Sequence, residues 1–523
     1  MSNPSSPALA APAPDGYSVL DDRALLGHPR GLGLLFVVEM WERFSYYGMR
    51  AILVPYLVLA VHWPTAGASN LYGTYTSLVY LTPLVGGYLA DRVIGTRRSL
   101  VIGGAVIALG HFALAFPGMP MFYLGLTLII AGTGLFKPNS ATMVGQCYRP
   151  GDPRRDAGFT IYYMGVNAGA FLGPLVVGYL AETPSYGWHW GFAAAGVGMV
   201  VGLVLYLWGR ERYLPGIGVS PEGLPGAAGA AAGARPERSL LVDAIGGGVA
   251  GLGLAAFLAG LSPLALGMGA VIGAALAVTL LGTHGEERKR VIALFVVAFF
   301  VVFFWAAYEQ AGSSMNLFAF RNTELRLGGW EVKASWFQAV NPFMILALAP
   351  VFAALWTALG RRGKDPSTPL KMVLGLFLLG LGFLFLVAGG RRADTGVLVS
   401  PLWLTLAYLF HTMGELCLSP VGLSYVSRIA PVRFASLLMG AWYLANAAAN
   451  KIAGAVAALM PAPGEPRAPA EGLTGMLQKM AETQAGFYSI FVISSIGAAA
   501  LMLLFVPLLR RLAASADGPR PVA

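Results

Sequence analysis

Apolar residues in this chain fall in long unbroken runs, without the regular polar interruptions of a soluble amphipathic helix. Six runs of membrane-spanning length cover Leu32–Val61, Leu71–Val93, Ser99–Phe116, Met119–Cys147, Gly158–Ala181 and Trp188–Trp208. Six more cover Val291–Phe320, Ala334–Leu359, Leu370–Ala388, Val399–Val426, Phe434–Met460 and Gly486–Leu509. About twenty apolar residues suffice for a helix to cross the hydrocarbon core, so each run is expected to be one crossing. Between the two sets, Pro215–Pro236 is a Gly/Ala/Pro linker, and Leu240–Leu281 is apolar but interrupted at Ser262-Pro263.

Loop charges set the sidedness. Arg92, Arg97 and Arg98, then Arg149, Arg154 and Arg155, then Arg210 and Arg212 occupy every second connection, while the loops near Pro64, Gly118 and Tyr186 hold no Lys or Arg. Basic loops stay in the cytoplasm, which predicts a cytoplasmic amino terminus. Arg361, Arg362 and Lys364, then Arg428 and Arg433, then Arg510 and Arg511 continue on that side, against a weaker outward set of Arg321, Arg326, Lys333, Arg391 and Arg392. The apolar stretch 240–281 is basic at both flanks, with Arg235 and Arg238 before it and Arg288, Lys289 and Arg290 after it. Both ends then lie in the cytoplasm, and the stretch is expected to be a two-helix hairpin, giving fourteen crossings. The expected divisions are a disordered cytoplasmic tail over 1–30, a six-helix bundle over 31–212, linker plus hairpin over 213–288, a second six-helix bundle over 289–512, and a cytoplasmic tail over 513–523.

Composition agrees: 56% of the 523 residues are hydrophobic and only 11% charged. The expected class is an all-α polytopic membrane protein. The net charge of +10 resides in the topology-setting loops and does not imply nucleic acid. Cys147 and Cys417, the only cysteines, both sit in apolar runs, so no disulfide framework, zinc site or other cofactor is expected.

The first run departs from the pattern by carrying Glu39, Glu42, Arg43 and Arg50. Each charge at the bilayer centre costs roughly 2.5–3.5 kcal/mol even on permissive insertion scales, so they require partners, water or a cavity. On a helix, Glu39, Glu42, Arg43, Tyr46, Tyr47 and Arg50 share an arc of roughly 140°. That stripe faces protein. A buried ion-pair knot that only fixes packing is the alternative to a working surface. Further ionisable residues deep in the other runs are Lys137, Glu309, Glu415 and Lys451. Arg50 and Glu309 lie at matching depths, each 18 residues into its run, and Lys137 and Glu415 lie 18 and 16 residues into theirs.

The run Glu39-Met40-Trp41-Glu42-Arg43-Phe44-Ser45-Tyr46-Tyr47 resembles the E-x-x-E-R-F-x-Y-Y signature of the proton-dependent oligopeptide transporters, within the major facilitator superfamily. Gly87–Arg98 resembles that superfamily's loop motif, and Gly134–Asn139, Phe159–Asn167, Trp305–Gln310, Asn341-Pro342 and Gly414–Pro420 are similar to the family's helices four, five, seven, eight and ten. The resemblance implies a major facilitator fold, two six-helix bundles with an extra hairpin between them, and proton-coupled import of di- and tripeptides by alternating access, not an enzyme. It implies proton coupling by Glu39, Glu42, Arg43 and Glu309. It implies substrate binding by Tyr47, Arg50, Tyr80, Lys137, Asn167, Trp305, Asn341, Glu415 and Trp442. A peptide's carboxylate would meet Arg50 and Lys137, its ammonium Glu415, and Asn167 and Asn341 its amides or amino end. Each aromatic alone is more often a packing residue. Where some animal members are thought to use a second-helix histidine, this chain has Gly73, which leaves coupling to the carboxylates. The expected setting is a monomer in a bacterial inner (plasma) membrane with both termini cytoplasmic. The nearest rival is a relative carrying another anion, such as nitrate or a decorated metabolite. A non-transporting sensor or an intramembrane enzyme is disfavoured, because neither an output domain nor an H-E-x-x-H or G-x-S-x-G motif is present.

Overall fold

The computed structural model describes residues 18–149, 151–219, 238–259, 263–431, 434–462, 464–465 and 469–513. Outside them lie the first 17 residues of the expected tail, the linker from 220 to 237, the hairpin's expected break at 260–262, the loop cations Arg235 and Arg433, and the expected carboxy-terminal tail from 514.

The described chain is helical almost throughout: α1 (Arg30–Pro55), α2 (Thr65–Leu89), α3 (Thr96–Ala115), α4 (Met119–Gln146), α5 (Arg155–Glu182), α6 (Trp188–Tyr213), α7 (Arg238–Ala259), α8 (Pro263–Leu281), α9 (Gly285–Tyr308), α10 (Ser314–Asn322), α11 (Val340–Arg361), α12 (Thr368–Ala393), α13 (Leu402–Ile429), α14 (Ala435–Ala457), α15 (Gly472–Met480) and α16 (Gln484–Ala513). Among the described residues, fourteen of these helices have 19 residues or more, and nine segments are apolar and long enough to cross a membrane by composition. α1 falls short of that measure because Glu39, Glu42 and Arg43 lie within any 18-residue stretch of it. The chain is thus a multi-pass membrane protein, its first helix carrying Glu39, Glu42, Arg43 and Arg50 within its length.

Several features depart from a plain row of helices. The run Val291–Phe320 is broken after Tyr308 by a 3-10 turn over Glu309–Gly312 before α10 begins. A short antiparallel pair, β1 (Arg326–Leu327) and β2 (Trp330–Glu331), turns through Gly328 and Gly329 at φ +57° and +89°, left-handed values that glycine adopts without strain. α15, in the connection before the last long helix, was not expected from hydropathy.

The contacts divide the chain into two compact units. Unit 1 holds residues 1–60, 78–233 and 326–346. In it α1 packs on α5 and α6, and α3 packs on α4 and α6. Lipid tails are as apolar as leucine, so helices associate in a membrane through close packing of small residues. α5 shows this directly. Gly165, Gly169 and Gly173 recur one turn apart, and a Cβ on them would lie 2.8 Å from the Phe36 carbonyl oxygen, 2.0 Å from that of Met40 and 2.4 Å from that of Phe44. α1 and α5 therefore touch backbone to backbone along the charged stretch. Ser45 donates to the Ala195 carbonyl of α6 at 2.6 Å, which fixes the rotation of α1 from its other side.

Unit 2 holds residues 61–77, 234–325 and 347–523. α7 packs on α8, α12 on α13 and α16, and α9 on α14 and α16. The expected hairpin is a tight pair: a Cβ on Gly251 would stand 1.9 Å from the Gly269 carbonyl oxygen, and one on Gly273 2.0 Å from that of Gly247.

Two segments cross the bundle boundaries expected at 212 and 289, each for a physical reason. The first turns of α2 join unit 2 because Gly73 lies against Gly454, with a Cβ on either 2.7 Å from the other's Cα. Around that crossing Lys451 donates to Thr74 at 2.7 Å, and Glu465 accepts from the Thr65 amide at 2.8 Å and its hydroxyl at 2.7 Å. Gly73 is thus an obligatory close approach, with no space for a side chain. Residues 326–346 join unit 1 because the Glu182 carboxylate accepts from the amides of Ala334 and Ser335 at 2.8 and 2.9 Å, and Trp336 donates to the Leu175 carbonyl at 3.0 Å. Two of the outward cations are partnered: Arg321 donates to Thr65 at 3.1 Å, and Lys333 pairs with Glu331 at 3.0 Å.

The expected tail is structured from residue 18. Val19 is buried in the apolar cluster with Leu32, Leu35, Leu100, Phe136 and Tyr206. His28 Nδ1 bonds the Tyr148 hydroxyl at 2.9 Å, and Asp21 pairs with Arg149 at 2.7 Å. Arg154 donates to the Gly27 carbonyl at 2.9 Å while held by Asp152 at 2.8 Å. The Arg154 hydrogen bond is the main reason the Asp152 carboxyl drops from 3.8 to about 2, and burial pushes the Tyr148 phenol up to about 12. Arg97 of the loop motif donates to the carbonyls of Leu214 and Ile217 at 2.6 and 3.2 Å and pairs with Glu211 at 3.0 Å, which pins the chain leaving α6.

Candidate functional site

In unit 1 the charged stripe of α1 is drawn into one network. Arg43 lies between two carboxylates of its own helix: Nη2 donates to Glu42 Oε1 at 2.5 Å, Nε also meets Glu42, and Nε stands 3.5 Å from Glu39 Oε1. All three are almost completely buried, with relative exposures of 3% for Glu39, 1% for Glu42 and 4% for Arg43. The guanidinium also lies over the rings of Tyr46 and Tyr47 at 5.0 and 5.9 Å, and Arg50 lies 5.6 Å from the Tyr47 ring. These contacts spread the cationic charge over aromatic faces where water is scarce.

α4 adds the second cation. Lys137 Nζ sits over the Tyr80 ring at 4.5 Å and within electrostatic reach of Glu42. One turn further along α4, Ser140 donates to Glu39 Oε2 at 2.9 Å and shares a 2.8 Å hydrogen bond with the Tyr162 hydroxyl of α5. Neither Ser140 nor Tyr162 was singled out from the sequence. Ser140 lies three residues after Lys137, hence on the same helix face, and that spacing was the available signal.

Asn167 is buried in unit 1, its amide donating to the Tyr163 carbonyl at 2.9 Å. Asn341 opens α11, half-buried, and also falls in unit 1.

In unit 2, Glu309 lies at the break after α9 and is buried at 3% exposure. The next residue holds the break open: Gln310 donates to the Ala453 carbonyl at 3.0 Å and accepts from Ser314 at 2.6 Å. Glu415 on α13 accepts from the Tyr308 hydroxyl at 2.5 Å, and Tyr308 in turn meets the Trp305 ring edge-on at 5.1 Å. Tyr308 is a third residue that sequence reasoning passed over, although it stands beside Glu309 in the quoted run. Trp442 on α14 is buried on Gly422 of α13, where a Cβ would be 2.8 Å from its ring.

Each unit thus gathers a polar network inside an otherwise apolar helix set. Unit 1 combines two carboxylates with three cations, and unit 2 contributes Glu309 and Glu415.

The family model described as PTR2, POT family, matches residues 97–216 and 255–470. The chain belongs to the POT family. Among the relatives of this POT family transporter is a di-/tripeptide transporter of Lactococcus lactis subsp. cremoris, 36% identical over 455 residues, covering 82% of this chain and 89% of the relative. The uncharacterized transporter YclF of Bacillus subtilis (strain 168) is 39% identical over 498 residues, covering 94% and 96%. A crystal structure of a peptide transporter POT in complex with sulfate superimposes with a TM-score of 0.77 at 36% identity, covering 94% of this chain and 98% of that one. The family resemblance read from the first helix therefore holds across the chain, and the fold is that of the POT transporters.

Proposed function

We propose that this POT family member is a proton-coupled symporter that brings di- and tripeptides across the inner (plasma) membrane by alternating access, as a monomer with both termini in the cytoplasm. The reading is supported by the name of the Lactococcus relative and by the loop charges, but the observation that carries it is the setting of Arg43 between Glu39 and Glu42.

The charge count explains the coupling. Glu39 and Glu42 carry two negative charges when ionised, against three positive ones on Arg43, Arg50 and Lys137. In a low-dielectric interior an uncompensated charge is strongly disfavoured. Protonating one carboxylate frees its cationic partner and raises the net positive charge, and a peptide carboxylate entering beside Lys137 and Arg50 offsets it. Proton and peptide each therefore favour the binding of the other. On the cytoplasmic side, loss of the proton re-forms the pairs with Arg43 and releases the peptide. Glu309 offers a further proton site in unit 2. Glu415, held by Tyr308, supplies the negative partner for the peptide ammonium. Asn167 and Asn341 bond the backbone, and Tyr47, Tyr80, Trp305 and Trp442 bound the side-chain space.

Counterflow and pH-gradient uptake of labelled dialanine in proteoliposomes test this. Accumulation above equilibrium with an acidic exterior, collapsing with a protonophore, is the expected result. Exchange of nitrate with no exchange of dialanine would overturn it.

A further inference from the structure

Glu39 has one oxygen toward Arg43 and the other engaged by an uncharged pair. Ser140 Oγ donates to Glu39 Oε2 at 2.9 Å and bonds Tyr162 Oη at 2.8 Å. Ser140 is completely buried, and Tyr162 is 9% exposed. With Ser140 donating to the carboxylate, its free lone pair receives the Tyr162 proton, so the chain runs from tyrosine to serine to glutamate. A hydroxyl both donates and accepts. When Glu39 is protonated, the same three groups can reverse direction: the carboxyl donates to Ser140, and Ser140 donates to Tyr162. Arg43 has no such freedom, because a guanidinium only donates.

We infer that Ser140 and Tyr162 are positioning residues for proton coupling: a reversible hydroxyl pair that keeps Glu39 hydrogen-bonded in both protonation states and sets the pH at which it exchanges its proton. This rests on the proton-symport reading above and adds to it the groups that tune Glu39. The ionisable groups facing Glu39 are Glu42 and Arg43 on α1, Tyr162 on α5, and Lys137 on α4, which acts through Glu42. Of the partners bonded to Glu39 or in ion contact with it, Arg43 favours the ionised form alone. The hydroxyl pair favours that form through a donated hydrogen bond while leaving the neutral form satisfied. Removing a donor to the ionised form disfavours it, so the protonation midpoint should rise.

The test uses the full-length protein in liposomes, with proton-driven dialanine uptake measured across pH and normalised to each variant's own counterflow. Ser140→Ala and Tyr162→Phe are expected to move the midpoint to higher pH by about half a unit or more, the serine variant further, because it breaks the bond to Glu39 itself. Ser140→Thr, which keeps the hydroxyl, is expected to return to the parent profile. Superimposable profiles for parent, Ser140→Ala and Tyr162→Phe would overturn the inference. So would equal losses of uptake and counterflow without a shift, the mark of a packing role. A parent that shows no pH-driven uptake would instead overturn the symport reading itself.

Discussion

Gly169 of α5 rests on the Met40 carbonyl of α1 so closely that a Cβ there would stand 2.0 Å from the oxygen and 2.9 Å from the Arg43 Cβ. The absent side chain of one helix thus sets where the charged face of another can lie.

Gly169→Ala is expected to push α1 and α5 apart, at a cost of roughly 1–3 kcal/mol by analogy with overpacked cores, and to disturb the Arg43 pairs. The control is Gly497→Ala on α16, where a Cβ meets nothing within 4 Å and alanine should be neutral or slightly stabilising. Thermal unfolding in detergent together with dialanine uptake would show a drop in both for the first variant and in neither for the second.

Glu39→Gln and Glu42→Gln each remove one negative charge permanently, which mimics the protonated state. Uphill uptake should be lost in each, while counterflow, which needs no net proton movement, continues. Concentrative uptake surviving in both variants would contradict the assigned coupling.

Glu415 and Tyr308 are joined by a hydrogen bond, and the carboxylate is the proposed partner of the peptide ammonium. Glu415→Gln should weaken binding of dialanine by roughly tenfold or more, since a hydrogen-bonded buried charge pair is broken, yet change binding of its N-acetylated form little. Tyr308→Phe should have the same direction and a smaller size. Competition against labelled dialanine reads both effects.

Asp152 holds Arg154 on the Gly27 carbonyl. Its carboxyl titrates near 2 when folded against an ordinary 3.8, so its contribution is fully present above the higher value and is lost as pH falls through the lower. Asp152→Asn should speed amide hydrogen exchange in residues 18–29 at neutral pH. The parent should lose that protection progressively as pH falls from about 4 to about 2, an acid step missing from the variant.

Much of the site was legible because its members carry charge where charge is costly. Glu39, Glu42, Arg43, Lys137, Glu309 and Glu415 stand out in apolar runs whatever they contact. Ser140, Tyr162 and Tyr308 were not legible in this way, since a hydroxyl in a membrane helix is commonplace and commonly bonds its own backbone, as Thr142 does to the Pro138 carbonyl. The start of the ordered chain was also misjudged. The stretch 18–29 is polar and rich in turn residues, and only its partners Tyr148, Arg149 and Arg154 hold it in place.

Hydropathy and residue spacing alone determined the fourteen long helices and the buried position of the charged stripe, because water, lipid and the helical repeat act on each segment separately. Tertiary structure alone decided that Glu39 meets Ser140 and Tyr162, that Gly73 meets Gly454, and that Glu182 receives the amides of 334 and 335. Those contacts depend on how closely and at what rotation distant helices approach, and this is settled where glycine backbones touch, far apart in the chain.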